Sequence, residues 1–169
     1  MKPVITAFCL AVLVSPAIAE PRIYTDPVAG YSMKIPDGWS DMTNGQTMSA
    51  DSAVQCTVTG QHVAQTTALP QEAVNISMQA YTAEFWRQRF FASGITGSID
   101  NVGITKMEQY DAPWARGGMA YPTGQEVKFN ALMIAGPGRL VSVTCLTSPG
   151  GYDKNFPGIT TVLNWLRPL

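Results

Sequence analysis

The chain has 169 residues, of which 46% are hydrophobic and 14% are charged, and its formal net charge is −1 at pH 7. Soluble domains usually carry about 25% charged residues, so this low charge, with four Trp, six Tyr and six Phe, excludes a disordered chain. The balanced charge excludes a basic nucleic-acid-binding or membrane-surface protein, and the length suits one domain.

The first 19 residues, MKPVITAFCLAVLVSPAIA, have the pattern of a cleavable export signal. Lys2 supplies the positive start, an apolar run follows, and a small-x-small motif ends at Ala19. We therefore predict cleavage between Ala19 and Glu20, with residues 20–169 forming one soluble domain that is periplasmic or secreted. A membrane anchor is the alternative, but the eleven apolar residues span only about half of a ~30 Å bilayer core.

The mature chain begins with short strands. Alternating runs at 22–25 and 31–35, joined by turn residues, predict a β-hairpin. A polar segment at 41–51 follows, and a third strand is predicted around Cys56, ending near His62.

From residue 70 the hydrophobic period changes to that of a helix. Apolar residues recur at spacings of three and four, at Val74, Met78, Tyr81 and Phe85. Thr82 is a candidate cap for a second short helix after a break. One kinked helix and two short helices both fit residues 70–92.

After residue 97 the period returns to two. Short connectors, including one at 111–113, separate four long β-type runs and predict an antiparallel meander. The runs are 99–110, 114–121, 126–135 and 139–146.

A C-terminal helix completes the chain. Pro157 is placed at its start, and one face carries Phe156, Ile159, Val162, Leu163 and Leu166. The order β-β-β-α(α)-β-β-β-β-α predicts an α+β fold in which helices flank a mostly antiparallel sheet.

Two cysteines remain after the leader is removed. Cys56 and Cys145 both lie in β-type runs, and an even pair in an oxidising compartment predicts a disulfide. The bond would close a loop of about 90 residues, worth ~4–5 kcal/mol in the chain-entropy model. A redox-active pair is the alternative, but the sequence has no Cys-x-x-Cys motif.

The segment Gly30-Tyr-Ser-Met-Lys-Ile-Pro-Asp-Gly-Trp39 resembles the opening motif of the PsbP/Mog1-like α/β/α sandwich proteins. The order of strands and helices after it is similar to theirs over essentially the whole mature chain. The resemblance implies the sandwich fold and a non-catalytic adaptor role, and it is closest to small exported bacterial members of unknown role. No functional residue of the photosynthetic or GTPase-binding branches has a counterpart here, so none is carried over.

Catalytic motifs are scarce in the sequence. His62 is the single histidine, and no Gly-x-Ser-x-Gly elbow accompanies it. The carboxylates are dispersed, so a carboxylate hydrolase ranks last among the functions considered. We predict no enzyme activity, no cofactor and no metal site.

Aromatic and cationic residues cluster in two places. Trp86 and Arg89 lie on adjacent turns of a predicted helix, whereas Trp114 and Arg116 lie two apart and share one side of a strand. Trp and Arg are enriched at interface hot spots, although aromatic residues at this spacing also form ordinary core packing. Trp39 has the same two interpretations.

The leading hypothesis is therefore an exported, non-catalytic accessory domain that binds an envelope protein. The alternative is a small-ligand-binding protein with a pocket between sheet and helices, lined by some of Trp39, Trp86 and Trp114. After cleavage of the leader, we expect no membrane insertion and no binding to nucleic acid.

Overall fold

The computed structural model describes residues 22–91 and 94–169. The predicted leader and the cleavage site between Ala19 and Glu20 lie outside these residues. In the described part, no helix is long and apolar enough to cross a membrane. The bounds are β1 Arg22–Asp26, β2 Tyr31–Ile35, β3 Gln46–Met48, β4 Val54–His62, α1 Gln71–Met78, α2 Ala83–Phe90, β5 Thr96–Met107, β6 Tyr110–Ala120, β7 Glu126–Gly136, β8 Arg139–Thr147, α3 Tyr152–Asn164 and β9 Arg167–Pro168.

The strands form two sheets in which all paired neighbours are antiparallel. The large sheet has the order β3-β4-β8-β7-β6-β5, and the small sheet has the order β1-β2-β9. The predicted N-terminal hairpin and the four-strand meander are both confirmed. The sequence prediction missed β3 and β9, because strands of three and two residues are too short to show an alternating pattern.

Each face of the large sheet carries a covering layer, and each layer forms a hydrophobic core with the strands that it contacts. Helices α1 and α2 pack on one face, where Trp86 and Phe129 are buried. Helix α3 and the small sheet pack on the other face, against Leu132 and Ile134 of β7. Strand β7 therefore contributes alternate residues to the two cores, as expected for a strand buried on both sides. The predicted α+β sandwich is confirmed.

The sequence fits one kinked helix or two short helices after residue 70, and the structure has two, α1 and α2. Pro70 and Thr82 precede α1 and α2 in extended conformations, so each begins a new helix. The predicted cap at Thr82 is wrong in one respect, because its side chain makes no capping hydrogen bond.

The connector predicted at 111–113 is wrong. Strands β5 and β6 are joined by a two-residue turn at Glu108 and Gln109, with Glu108 at φ 59°. On α1, Asn75 holds this turn, donating to the Gln109 carbonyl at 2.8 Å and accepting from the Asp111 N–H at 3.1 Å. Pro113 can lie in the strand because the register between β6 and β7 begins only at Trp114.

The start predicted for the C-terminal helix is also wrong. Helix α3 begins at Tyr152, five residues before Pro157, which lies inside the helix. Ile159 and Val162 are buried as predicted, but Phe156 is 41% exposed. Phe156 faces a groove that no periodic pattern could reveal.

The predicted disulfide joins Cys56 to Cys145. The two residues are direct partners in the β4–β8 register, and both are fully buried on the α3 side of the sheet. The bond thus links neighbouring central strands inside the core.

Asp51, in the loop between β3 and β4, connects that loop to the start of α3. Its carboxylate accepts hydrogen bonds from the Ser49 hydroxyl at 2.7 Å, from the Ala53 N–H at 3.1 Å and from Asn155, and it pairs with Lys154 at 3.0 Å. These hydrogen bonds hold the pKa of Asp51 well below the ordinary range of an aspartate. The hydrogen bond from Ser49 contributes most, followed by the one from Lys154.

This depressed pKa predicts a pH dependence of stability. A carboxylate with a lowered folded-state pKa stabilises the fold fully above its unfolded pKa of about 4, and this contribution is lost as the pH falls towards the folded-state value. We expect Asp51→Asn to lower the melting temperature at pH 7 by a few degrees and to flatten its decline below pH 4. Asp37→Asn is the control, because Asp37 is exposed and makes no side-chain hydrogen bond with the described residues. Equal melting curves for the two variants from pH 2 to 7 would contradict this role.

Candidate functional site

A groove runs beside α3, over the part of the large sheet that this helix leaves uncovered. Helix α3 packs mainly on β2, β4, β7 and β8, and the same face of the sheet is left open on β5 and β6 around Arg116. Two adjoining cavities of about 210 Å³ each lie there and share Arg116. We call them together the α3 groove; its principal lining side chains are Asp100, Thr105, Trp114, Arg116, Lys128, Asn130, Tyr152, Phe156, Leu163 and Asn164.

The register of β6 and β7 sets the floor of the groove. Trp114 lies opposite Leu132, and Arg116 lies opposite Asn130. Lys128, two residues before Asn130, emerges on the same side. Its partner on β6 is Gly118, which has no side chain and leaves room above the sheet.

The wall of the groove comes from the first turns of α3. The Tyr152 hydroxyl donates a hydrogen bond of 3.2 Å to Asn130 Oδ1. The Tyr152 and Phe156 rings lie 5.6 Å apart between centroids, and Lys128 Nζ lies 4.7 Å from the centroid of the Tyr152 ring. This cation–π contact orients the lysine towards the wall.

The lining of the groove carries more positive than negative charge. Within residues 22–91 and 94–169, neither Arg116 nor Lys128 forms an ion pair. Asp100, the single carboxylate in the described lining, accepts a hydrogen bond of 2.7 Å from Ser98. Asn130 is 5% exposed, and its Nδ2 has no acceptor among the described residues. Such unpaired buried donors are uncommon in native structures.

The Trp114 indole lies close to the neighbouring strand at a glycine of that strand. A Cβ atom on Gly103, its partner on β5, would lie 3.0 Å from the indole ring. The absent side chain gives the indole space over β5 and keeps it at the edge of the groove. Trp114 therefore offers an apolar surface in the cavity that Arg116 also lines.

The structure separates the residues that the sequence suggested for an interface or pocket. It brings Trp114 and Arg116 together in the α3 groove. Trp39 and Trp86 are buried in opposite cores, which agrees with core packing, and Arg89 is exposed on α2, across the sheet from the groove.

Sequence reasoning missed Lys128, Asn130 and Tyr152. The signal available for Asn130 was an uncharged polar residue near the start of an otherwise apolar run on β7. Its partners, however, depend on the register of β6 and on the unforeseen start of α3.

The residue types in and around the groove limit the chemistry that can be assigned to it. His62 lies at the end of β4 and is exposed, and the described residues hold no group of three His, Cys, Asp or Glu side chains that could bind a metal ion. The groove offers cations, amide and hydroxyl groups and aromatic rings. These groups suit recognition of an anionic, partly apolar ligand.

These features define a class of protein, an α/β/α sandwich with an open groove beside its C-terminal helix. No family model and no curated protein sequence matches the chain. Among solved structures, it is similar to cyanobacterial PsbP (CyanoP) from Synechocystis sp. PCC 6803, with a TM-score of 0.60 and 14% identity over 95% of this chain and 99% of that one.

Two further structures have similar folds. LpqN of Mycobacterium tuberculosis, described as involved in cell envelope biogenesis, gives a TM-score of 0.57 and 10% identity over 87% of this chain and 88% of that one. A protein from Bacteroides thetaiotaomicron VPI-5482 gives a TM-score of 0.55 and 11% identity over 89% of this chain and 49% of that one. At these identities the likeness shows the fold, and the PsbP/Mog1-like sandwich predicted from the sequence is confirmed.

Proposed function

We propose that this protein is an exported, non-catalytic accessory domain that binds a protein partner through the α3 groove. Export is supported by the N-terminal pattern and by the buried Cys56–Cys145 disulfide, since such bonds persist mainly in oxidising compartments. A role at the cell envelope is supported by the fold that the chain shares with LpqN, whose description places that protein in envelope biogenesis.

The observation that carries the proposal is the shape and lining of the groove. Pockets that bind small molecules usually enclose them and bury most of the ligand's surface. The α3 groove instead consists of two open cavities of about 210 Å³ laid along a helix. Its Trp, Tyr and Arg side chains are types enriched where proteins bind one another.

A small-ligand-binding protein is the second candidate. It is favoured by the position of Trp114 between the sheet and α3, as that hypothesis requires. Trp39 and Trp86, however, lie in the cores and could not line the same pocket.

Site-specific photocrosslinking in cells tests the leading proposal. A photoreactive amino acid at position 164, exposed at the groove, is compared with one at position 88, exposed on α2 across the sheet. We expect one protein to be crosslinked at Asn164 and not at Gln88, and mass spectrometry would identify it. Recovery of the uncrosslinked chain alone from both positions, or turnover of a substrate by the purified domain, would contradict the proposal.

A further inference from the structure

We propose that the α3 groove recognises a carboxylate on a polypeptide segment of the partner, bound by Arg116 and Asn130 and attracted by Lys128. The inference rests on the proposed function and adds the chemical group that is recognised. It commits to an acidic residue next to an apolar one within an extended segment.

Arg116 is the principal anchor for the carboxylate. Its side chain is exposed on the floor of the groove, and it forms no ion pair within residues 22–91 and 94–169. A guanidinium donates two parallel hydrogen bonds to a carboxylate, which fixes orientation as well as position. Arg116 and Asn130 are direct cross-strand partners, so their Cβ atoms lie about 5 Å apart on one face.

Asn130 provides the second donor. The Tyr152 hydroxyl occupies its Oδ1, which fixes the orientation of the amide, and leaves Nδ2 without an acceptor in the described chain. A buried N–H gains more from a new acceptor than an exposed one, because it has already lost its hydrogen bonds to water. Because Asn130 lies directly opposite Arg116 in the β6–β7 register, a carboxylate held by the guanidinium would lie next to the Asn130 amide.

The charge of the groove matches a singly charged group. Arg116 and Lys128 contribute two positive charges, and Asp100 in the same lining contributes one negative charge. The resulting single positive charge is neutralised by one carboxylate, whereas a phosphate dianion would leave the groove with a net negative charge.

The apolar part of the groove explains why the carboxylate should belong to a polypeptide. Beside Arg116, the lining continues with Trp114 on β6 and with Phe156 and Leu163 on α3. An apolar side chain next to the acidic residue would cover these groups. An open groove that runs beside a helix suits an extended segment and does not enclose a free acid.

Peptide binding to the purified mature protein tests the inference. The probes are acetyl-Leu-Glu-Phe-Gly-amide, its Gln analogue, which lacks only the charge, and free 3-phenylpropionate. Binding is followed by NMR through the Asn130 side-chain amide and the Arg116 Nε–H resonances. We expect the Glu peptide to bind at least about tenfold more tightly than the Gln peptide, as a charge-assisted pair would give.

Three variants sharpen the result. Arg116→Gln should remove the difference in affinity between the two peptides. Asn130→Asp should weaken binding of the Glu peptide, because the new carboxylate repels that of the peptide. The matched control is Arg89→Gln, which removes an exposed arginine on the opposite face and should leave the difference unchanged.

The possible failures are distinguishable. Equal binding of the Glu and Gln peptides, or binding of neither at millimolar concentration, would overturn recognition of a carboxylate. Equally tight binding of 3-phenylpropionate would overturn the polypeptide occupant in favour of a small acid. If Arg116→Gln leaves crosslinking at Asn164 intact, this inference fails while the proposed function stands. If the wild-type groove crosslinks no partner, the proposed function fails.

Discussion

Replacing either Cys56 or Cys145 by alanine should lower the free energy of unfolding by about 3–5 kcal/mol. The bond joins residues separated by 89 positions, so its loss restores much conformational freedom to the unfolded chain. Because both variants lose the same bond, the double variant should be only slightly less stable than either single one. Urea denaturation at pH 7 would measure all four proteins.

The reduced wild-type protein is the control for this series. Under a strong thiol reductant it should lose a similar amount of stability, whereas the variants should change little. Alanine is preferred to serine because both positions are fully buried, where a hydroxyl would need a hydrogen-bond partner. Additive losses in the double variant would show that each side chain acts by itself.

Gly158→Ala should destabilise the protein by about 1–3 kcal/mol, although alanine normally improves a helix. A Cβ atom at position 158 would lie 2.7 Å from Cζ2 of Trp39, so α3 would have to move off the indole ring. Trp39 is buried and packs in the core between the small sheet and α3. Thermal and urea denaturation would measure the loss.

A double-variant cycle makes this prediction specific. Phenylalanine at position 39 lacks the indole atoms nearest to Gly158, so in a Trp39→Phe background Gly158→Ala should be neutral or stabilising. Gly150→Ala is the matched control, because no atom lies within 4 Å of a Cβ placed there. The same loss in both backgrounds would rule out the indole contact as its cause.

Much of the fold could be predicted from sequence because it depends on local patterns. The meander was found from alternation and turn residues, and the disulfide from two cysteines in β-type runs. Errors arose where a distant residue decides a local feature. Asn75 on α1 holds the β5–β6 turn at Glu108 and Gln109, although the residues Asp111 to Pro113 have the stronger local turn signal.

The candidate site was only half predictable for the same reason. Trp114 and Arg116 share a strand, so their common side follows from a spacing of two. Asn130 lies opposite Arg116 because of the β6–β7 register. Tyr152 contacts Asn130 because α3 begins at that tyrosine. Neither of these is a property of any short segment of sequence.

The topology of the large sheet also affects how the chain folds. Four of its five neighbouring pairs join consecutive strands, and the pair of β4 with β8 alone joins distant segments. Non-local pairing slows folding because a long loop must close before the contact forms. Once Cys56 and Cys145 are bonded, that closure has already occurred, and β4 docks as though it were a near neighbour of β8. A chain that refolds with this bond intact therefore assembles the large sheet through local steps, whereas a reduced chain must first bring the two halves of the sheet together.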